Sequence, residues 1–258
     1  MSAVPPQERV PVSTPLLETR GISLAFGGVV AAESIDFKLA DGERLAVVGQ
    51  NGAGKTTFIN ICTGHLVPST GKVLFDGHDI TGHSSRSITR RGVGRTFQLP
   101  QIFTEHTVRE CLLLAASSAK RRRGFWVALE DAVDAATVDD TLQLMQLSAR
   151  AGDLAGSLPG GQRKLLDVAM ALVLRPKLMI MDEPTSGVSS EEKHELMRVL
   201  MGALDERGVT AIFVEHDIDI VKRYATRLCA WIAGRIAVDG PPDQVLADPV
   251  VIRNVIGE

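Results

Sequence analysis

The feature that most constrains the fold is a glycine-rich stretch between an apolar run and a segment of helical periodicity. The pattern G-x-x-x-x-G-K-[ST] is filled by Gly49, Gln50, Asn51, Gly52, Ala53, Gly54, Lys55 and Thr56. Residues 45–48 predict a buried strand before it, and residues 57–63 predict a helix after it that ends near Gly64. Glycines let successive N–H groups point at one anion, and the helix N-terminus adds partial positive charge. We therefore expect a nucleoside triphosphate site, with Lys55 on the β- and γ-phosphates and Thr56 on Mg²⁺.

Two acidic side chains follow a second apolar run. Residues 178–181 predict another buried strand, and Asp182 and Glu183 stand directly after it. At the tip of this strand Asp182 would hold Mg²⁺ through water, and Glu183 would orient and deprotonate the water that attacks the γ-phosphate. The alternative is a pair of solvated loop charges. Pro184 ends the strand where a site should open, which favours the catalytic interpretation.

A third apolar run, residues 211–214, leads into Glu215, His216 and Asp217. A histidine at the carboxyl end of a strand is placed to touch the γ-phosphate or the attacking water, whereas His216 taken alone would be an ordinary surface histidine. Open parallel sheets bind ligands at the carboxyl ends of their strands. Three strands that all end in polar residues therefore predict one ligand-binding edge.

The remaining patterns predict the rest of an α/β fold. Residues 17–39 and 72–80 alternate apolar and polar side chains, which predicts an antiparallel sheet beside the nucleotide. Residues 99–150 lack strand-like runs and predict a mostly helical subdomain. Residues 228–240 predict a closing hairpin with its turn near Gly234.

Composition narrows the class of protein. The 258 residues suffice for one sizeable α/β domain, and the net charge of −3 gives no reason to expect nucleic acid as a partner. No apolar run approaches the ~18 residues needed to span a membrane. Cys62, Cys111 and Cys229 are scattered among apolar neighbours, which predicts buried packing and a reducing compartment. Residues 1–15 are expected to form a flexible tail before a single domain at 16–258.

Together these motifs resemble the ATP-binding subunit of an ABC transporter over almost the whole chain. Residues 49–57 and Asp182 resemble the Walker A and Walker B motifs. Residues 94–98, which end in Gln98, resemble the family's Q-loop. His216 falls on the family's switch histidine, and Phe26 matches the aromatic residue that stacks on adenine. The signature motif, which separates this family from other P-loop proteins, is matched by Leu158, Pro159, Gly160, Gly161 and Gln162.

The resemblance implies a P-loop NTPase (RecA-like) core with a mainly parallel sheet, an antiparallel β subdomain and a helical subdomain inserted at about residues 99–163. It implies an ATPase that binds ATP and Mg²⁺. The implied metal ligands are Thr56, Gln98 and Asp182, and the implied catalytic residues are Glu183, His216 and Gln98. Nucleotide contacts are implied for Phe26, for Gly49 through Thr56, for the following Thr57, and for the five signature residues.

The resemblance also implies partners. In the family, each ATP lies between the Walker A motif of one ATPase subunit and the signature motif of another. The implied partners are a second ATPase subunit (identical or paralogous), transmembrane permease subunits and, indirectly, an extracytoplasmic solute-binding protein, with no nucleic acid. The implied location is the cytoplasmic face of the inner membrane, as a peripheral subunit.

Several local features resemble the importers of branched-chain amino acids. They are residues 95–98, 165–172, 214–217 and 247–258, and residues 120–153 resemble the longer of the two ATPases in such importers. Related importers of urea, amides or aromatic acids would look much the same, as would the ATPase of lipopolysaccharide export. A soluble ABC ATPase acting on nucleic acid or ribosomes is a further alternative. Such proteins usually carry two cassettes, a long coiled coil or zinc-binding cysteine pairs, which this sequence lacks.

Two positions depart from the family pattern. Pro159 replaces the signature's usual serine, which in the family donates to the γ-phosphate held by the opposite subunit. Losing one hydrogen bond to a charged group removes ~1.5–3 kcal/mol; the alternative is that proline simply suits the first turn of a helix. Residues 185–189 stand where the family's D-loop belongs, and Ser189 replaces its aspartate. Ser189 also begins a capping-box pattern that ends at Glu192. Separately, the basic run at residues 120–123 is either a solvated loop or a segment that approaches anionic lipid headgroups.

Overall fold

The structure, a computed structural model, describes residues 14–119 and 135–257. Most of the predicted tail and the basic run at residues 120–123 lie outside the described residues. The strands are β1 (Leu17–Phe26), β2 (Val29–Leu39), β3 (Arg44–Gly49), β4 (Thr70–Phe75), β5 (His78–Asp79), β6 (Val93–Arg95), β7 (Leu178–Asp182), β8 (Thr210–Val214), β9 (Arg227–Ile232) and β10 (Arg235–Gly240). The helices are α1 (Lys55–Cys62), α2 (Ser85–Thr89), α3 (Val108–Ala119), α4 (Ala135–Leu144), α5 (Gly160–Leu172), α6 (Ser190–Glu206), α7 (Ile218–Tyr224), α8 (Pro242–Leu246) and α9 (Pro249–Val251). Short 3₁₀ turns (Ser148–Arg150 and Ala155–Ser157) and a π-helical turn (Ile252–Ile256) accompany them.

The main sheet has the strand order β10-β9-β3-β8-β7-β6. Its strands run parallel except β10, which returns from β9 as the predicted closing hairpin. The strands β7 and β8 are continuous apolar runs because both faces of a parallel sheet are covered. The α/β class and the mainly parallel sheet are therefore confirmed. The carboxyl ends of β3, β7 and β8 meet at one edge.

The second sheet is antiparallel, with the order β2-β1-β4-β5. Ile35, Phe37 and Leu39 alternate along β2 and are all buried, as the period of two predicts. They form one hydrophobic core with the side chains of α1 and with one face of the main sheet. Phe37 and Trp231 both contact Phe58 of α1. The predicted antiparallel sheet is confirmed, and it packs over the helix that follows the glycine-rich stretch.

The other face of the main sheet forms a second core. Met179, Met181 and Phe213 point to this face and pack with α3, α4, α5 and α6. The helices α3 and α4 come from the stretch between β6 and α5, where the sequence predicts helices. The helix α5 lies under the sheet and so connects this helical stretch to the edge where β7 ends. The subdomain boundaries remain a prediction.

Two expectations from composition concern burial and membranes. Cys62, Cys111 and Cys229 are free thiols and all are buried, as predicted. Burial raises the pKa of each thiol, so packing is their role. No helix in the described part of the chain is long and apolar enough to cross a bilayer.

Candidate functional site

The glycine-rich stretch forms a tight loop between β3 and α1. Gly52 and Gly54 have φ angles of +80° and +104°, which side chains rarely adopt. A Cβ at Gly54 would lie 2.2 Å from the carbonyl oxygen of Ala31 in β2, and one at Gly49 would lie 2.4 Å from the carbonyl oxygen of Trp231. Glycine is therefore required here by backbone conformation and by the close approach of neighbouring strands. Asn51 and Gly52 of the loop are exposed, as is Thr56 in the first turn of α1.

Lys55 begins α1, and its side chain turns back into the loop. Only 6% of the residue is exposed, and Nζ donates to the carbonyl oxygens of Gly49 (2.5 Å) and Gln50 (2.9 Å). Burial lowers the pKa of Lys55, and the nearby carboxylates of Glu183 and Asp182 oppose that change. The predicted phosphate-binding cation therefore lies inside the loop, held by backbone oxygens. The adjoining Thr56 is exposed and Thr57 is half-buried.

Glu183 brings together the three side chains predicted to be catalytic. Its Oε2 accepts a hydrogen bond from Nε2 of Gln98 at 2.7 Å, and its Oε1 lies 3.1 Å from Nε2 of His216. Glu183 has a φ of +49°, while its backbone N–H bonds the carbonyl oxygen of Val214 at 3.1 Å. Positive φ in a non-glycine residue stores strain and is concentrated at functional sites. The strained turn aims the carboxylate away from the sheet and between the glutamine and the histidine.

Asp182 ends β7 and is mostly buried, at 9% exposure. Burial raises its pKa, and the Arg95 guanidinium, whose Nη2 lies 4.0 Å from Oδ2, opposes that change. Arg95 also donates from Nη1 to Asn60 Oδ1 and Thr63 Oγ1 of α1, both at 2.7 Å. Its guanidinium lies over the ring of Phe97 at 4.7 Å. Arg95 therefore joins α1 to the end of β7, a role that its position in the Q-loop motif did not reveal.

Two further buried charged residues were missed by the sequence analysis. Glu215, 3% exposed, accepts from the backbone N–H and the hydroxyl of Thr185 at 2.9 and 2.8 Å, which attaches the segment after β7 to the end of β8. Lys164 in α5, 7% exposed, donates to the carbonyl oxygens of Gln98 (2.7 Å) and Glu183 (3.1 Å). The sequence gives little signal for either residue, because each stands at the border between polar and apolar neighbours.

The signature segment lies at the start of α5. Leu158 is buried, whereas Pro159 and Gly160 are exposed. The expectation that Pro159 lies in the first helical turn is wrong by one position. It is the N-cap residue, with an extended ψ of 156°, and α5 begins at Gly160. Its ring is compatible with this position because the N-cap N–H makes no intrahelical bond.

The remaining signature residues lie near the D-loop of the same chain. An ideal Cβ at Gly160 would be 3.9 Å from the carbonyl oxygen of Gly187, and one at Gly161 would be 4.0 Å from Val188. Gln162 is half-buried in the first turn of α5. Across the described residues, no hydrogen bond joins positions 158–162 to positions 49–57. Within one chain, the structure therefore does not bring the signature motif to the glycine-rich loop.

The D-loop serine begins a helix as predicted, with different bonds. Ser189 is the N-cap of α6, and its hydroxyl donates to Oε2 of Glu192 at 2.8 Å. A capping box would instead have each side chain accept from the other residue's backbone N–H. The expectation of a cap position is confirmed, whereas the reciprocal backbone bonds of the box are not formed.

The predicted adenine-stacking residue lies at the outer end of the antiparallel sheet. Phe26 is 49% exposed and pairs with Val29 at the turn between β1 and β2. A few residues further along β2, Ala31 is the residue whose carbonyl oxygen approaches Gly54. Phe26 therefore presents an exposed aromatic ring on the strand pair that touches the glycine-rich loop.

The oxygen donors at this edge suit a small divalent cation that is also held by phosphate. The hydroxyl of Thr56, the amide of Gln98 and the carboxylate of Asp182 are of the hard oxygen type that Mg²⁺ prefers, and Mg²⁺ typically takes one or two carboxylates plus substrate phosphates. No group of three or more His, Cys, Asp or Glu side chains in residues 14–119 and 135–257 is arranged to hold a metal by itself. The donor set therefore fits Mg²⁺ carried with a nucleotide.

Comparison with known proteins identifies the family. The model of the ABC transporter family matches residues 32–186. The chain is 31% identical to the high-affinity branched-chain amino acid transport ATP-binding protein BraF of Pseudomonas aeruginosa, over 96% of this chain and 100% of that protein. It is 34% identical to the probable branched-chain amino acid transport ATP-binding protein LivG of Archaeoglobus fulgidus, over 94% of this chain and 95% of that protein. It is 32% identical to the high-affinity branched-chain amino acid transport ATP-binding protein LivG of Escherichia coli, over 96% of this chain and 100% of that protein.

Solved structures agree. An ATP-binding cassette of an ABC transporter in its ADP conformation superposes with a TM-score of 0.82 at 31% identity, covering 95% of this chain and 100% of that chain. A nucleotide-free ATP-binding cassette from an ABC transporter superposes with a TM-score of 0.81 at 31% identity, covering 93% of this chain and 98% of that chain. The chain belongs to the ABC transporter family, and it is an ATP-binding, ATP-hydrolysing subunit of that family. The predicted family, fold and energy-coupling ATPase function are thereby confirmed.

Proposed function

We propose that this ATPase powers the import of branched-chain amino acids or a related small solute. The observation that carries this proposal is similarity along the whole chain, 31–34% identity over 94–96% of its length, to proteins named for branched-chain amino acid transport. The ATPase would act at the cytoplasmic face of the inner membrane. Its partners would be transmembrane permease subunits, a second ATPase subunit and, indirectly, an extracytoplasmic solute-binding protein.

The ATP site would be split between two ATPase subunits. The signature motif is partly exposed at Pro159 and Gly160, and no hydrogen bond among the described residues connects it to the loop that holds Lys55. The backbone amides of Gly160 and Gly161 and the N-terminus of α5 are therefore available to a phosphate held by a second subunit. ATP would close the dimer because it binds the closed state more tightly, and hydrolysis would reopen it.

Each site residue then has a role in ATP hydrolysis. The Lys55 ammonium would exchange its two carbonyl partners for phosphate oxygens, and the backbone N–H groups of residues 49–57 would line the phosphates. Glu183 would take the proton of the attacking water, while Gln98 and His216 hold its carboxylate in position. Phe26 would stack on adenine.

The metal would be held by Thr56, Gln98 and Asp182 together with the phosphates. Mg²⁺ supplies neutralisation of the negative charge that develops on the phosphate oxygens. Asp182 lies close to the cation Arg95, whose charge opposes the rise in its pKa that burial causes. The remaining proton chemistry rests on Glu183 and the two side chains that touch it.

The permease would dock beside the Q-loop. Large apolar side chains are exposed there: Phe97 (37%), Leu99 (74%), Phe103 (46%) and Leu154 (52%). An isolated β-bridge between Thr107 and Leu154 attaches the segment of Leu154 to the start of α3, shortly after Phe103. An exposed apolar patch of this kind marks a protein interaction site. Docking of a permease helix on it would connect the position of Gln98 to the membrane subunits.

The proposal is tested with the complex that co-purifies with this chain from detergent-solubilised membranes. After reconstitution into vesicles, we expect ATP-dependent uptake of labelled leucine, isoleucine or valine, and the same complex carrying Glu183→Gln should show none. Urea, a short amide and benzoate serve as competing solutes. Uptake of one of these alone would redirect the substrate assignment, and the absence of any permease from the purified complex would contradict the transporter role itself.

A further inference from the structure

The contacts of Lys164 connect three segments of the chain. It lies in the second turn of α5, which begins in the signature motif at Gly160. Its Nζ donates to the carbonyl oxygen of Gln98 at 2.7 Å, 66 positions away, and to that of Glu183 at 3.1 Å, 19 positions away. Both acceptors are backbone atoms, and the lysine itself is 7% exposed. One buried cation therefore holds the main chain of the Q-loop and of the segment after β7 against the signature helix.

The two residues held in this way are those whose side chains meet. Nε2 of Gln98 donates to Oε2 of Glu183 at 2.7 Å. The two backbone bonds of Lys164 and this side-chain bond close a ring of three contacts. Glu183 is also in a strained conformation, with a φ of +49°, which persists only where surrounding contacts fix it. The direction of the Glu183 carboxylate therefore depends on the lysine as well as on β7.

A second residue of the same helix face strengthens the connection. Asp167 follows one turn later, is 8% exposed, and accepts from the backbone N–H of Gln101 at 3.0 Å. Together, Lys164 and Asp167 attach the Q-loop and the residues after it to α5 at two main-chain positions, 98 and 101. The Q-loop is therefore bonded directly to the helix that begins in the signature motif.

We propose that Lys164 is a positioning residue that couples the two ATP sites of the dimer. The inference rests on the proposed split site, in which residues 158–162 serve the nucleotide of the second subunit. Because the same helix fixes Gln98 and Glu183 of its own subunit through Lys164, a shift of the signature motif on one nucleotide changes the catalytic geometry at the other. Occupancy of one site then alters turnover at the other through this lysine.

The experiment compares Lys164→Met with a matched control in the complex with its co-purified permease and second ATPase. Methionine keeps the length of the side chain and removes the charge and the donors. Lys222→Met is the control because Lys222 is an exposed lysine of α7 without an ion pair or hydrogen bond among the described residues. ATP titrations give kcat, KM and the Hill coefficient. ATP affinity of each isolated chain and the melting temperature are measured separately.

For wild type and Lys222→Met we expect a Hill coefficient above one. For Lys164→Met we expect kcat to fall by roughly tenfold to a hundredfold, because two charge-assisted bonds are lost, and the Hill coefficient to fall to one. ATP affinity of the isolated chain should stay within about threefold, since the phosphate loop is untouched. Lys164→Arg, which keeps the charge and several donors, should restore part of both kcat and cooperativity.

The outcomes separate this inference from the proposed function. Two results in a cooperative wild-type complex would overturn the coupling role of Lys164 and leave the transporter role intact. In the first, Lys164→Met has the same kcat and Hill coefficient as Lys222→Met. In the second, Lys164→Met lowers kcat but leaves the Hill coefficient unchanged. A wild-type complex that hydrolyses ATP without cooperativity would overturn the coupling role as well. A chain whose turnover does not depend on any second ATPase would contradict the split site. If Lys164→Met does not fold, Lys164→Gln, whose shorter neutral amide does not span both carbonyls, is expected to give the same loss of cooperativity.

Discussion

The glycine-rich loop and the signature helix each contain a buried lysine, and the two lysines have different consequences. Lys55 and Lys164 are 6% and 7% exposed, and each donates to two backbone carbonyl oxygens. Burial lowers the pKa of both. The acceptors of Lys55 are Gly49 and Gln50, six and five positions away in its own loop. Those of Lys164 belong to two other segments of the fold.

We infer that a buried lysine can serve ligand binding in one part of this fold and hold separate chain segments together in another. A lysine bonded only within its own loop can turn to a phosphate without disturbing the rest of the fold. A lysine that joins the Q-loop, the end of β7 and α5 cannot leave its carbonyls without releasing Gln98 and Glu183. The comparison therefore predicts separate failures: loss of nucleotide binding at Lys55, and loss of catalytic geometry at Lys164.

Glu183 interacts with both lysines: its charge acts on Lys55, and its carbonyl oxygen accepts a hydrogen bond from Lys164. Its substitution gives the largest expected effect. Glu183→Gln keeps the shape and removes the proposed base, so turnover should fall by ~10²–10⁴ while ATP still binds. Lys55→Ala is the contrasting variant, because it removes the loop's cation and should abolish tight ATP binding. Equilibrium binding of a fluorescent ATP analogue and single-turnover hydrolysis measure the two properties. Normal turnover by Glu183→Gln would show that another group accepts the proton.

The sequence predicts the loop better than the helix because of where the contacts lie. The strand, turn and helix around Lys55 form one continuous motif, so spacing alone locates the phosphate loop. The strands β3, β7 and β8 are likewise continuous apolar runs that end in polar residues. The bonds of Lys164, Arg95 and Glu215 join positions 19 to 66 apart, and no local pattern encodes such pairs. Sequence periodicity identifies α5, but only the packed fold shows what its buried charges hold.

The start of α5 is a second place where the sequence pattern does not predict the structure, and the difference concerns one residue. Proline statistics predict Pro159 inside the first turn, whereas it is the N-cap of α5. The choice between N-cap and first turn depends on how residues 155–158 enter the helix. That entry is determined by the bonds of Arg163, which donates to the carbonyl oxygens of Leu158 (2.8 Å) and Gly156 (2.7 Å). These bonds span only five and seven positions, but apolar periodicity does not show which carbonyl oxygens a long polar side chain reaches.

Pro159 gives the next prediction, on the signature side of the comparison. In a Glu183→Gln background, Pro159→Ser adds one hydroxyl able to donate to the partner's γ-phosphate, and serine is also a preferred N-cap residue. We expect ATP-driven dimerisation to strengthen by ~1.5–3 kcal/mol per site. Sedimentation with and without ATP measures it. Dimerisation that strengthens equally without ATP would indicate helix capping alone, and an unchanged or weaker dimer would favour Pro159 as a plain structural residue.

The smallest expected effect concerns Asp167, the carboxylate beside Lys164. Burial raises its pKa from 3.8 to about 6, while the backbone N–H of Gln101, Lys164 and the backbone of Phe97 oppose the change. Because the pKa of Asp167 is higher in the folded state than in the unfolded state, its contribution to stability is fully present below pH 4. That contribution is lost as the pH rises through 6, and the free energy of unfolding then has no further dependence on this group. Asp167→Asn keeps an acceptor for Gln101 without a charge. The unfolding free energy of this variant should therefore rise relative to wild type by about 1 kcal/mol between pH 5 and pH 7.

Denaturant titrations at each pH measure this difference in unfolding free energy. The control is Asp219→Asn, because Asp219 is an exposed aspartate in the first turn of α7. A difference that shrinks as pH rises would mean that Lys164 stabilises the carboxylate more than burial destabilises it, and the signature helix would then hold its charges as a favourable pair.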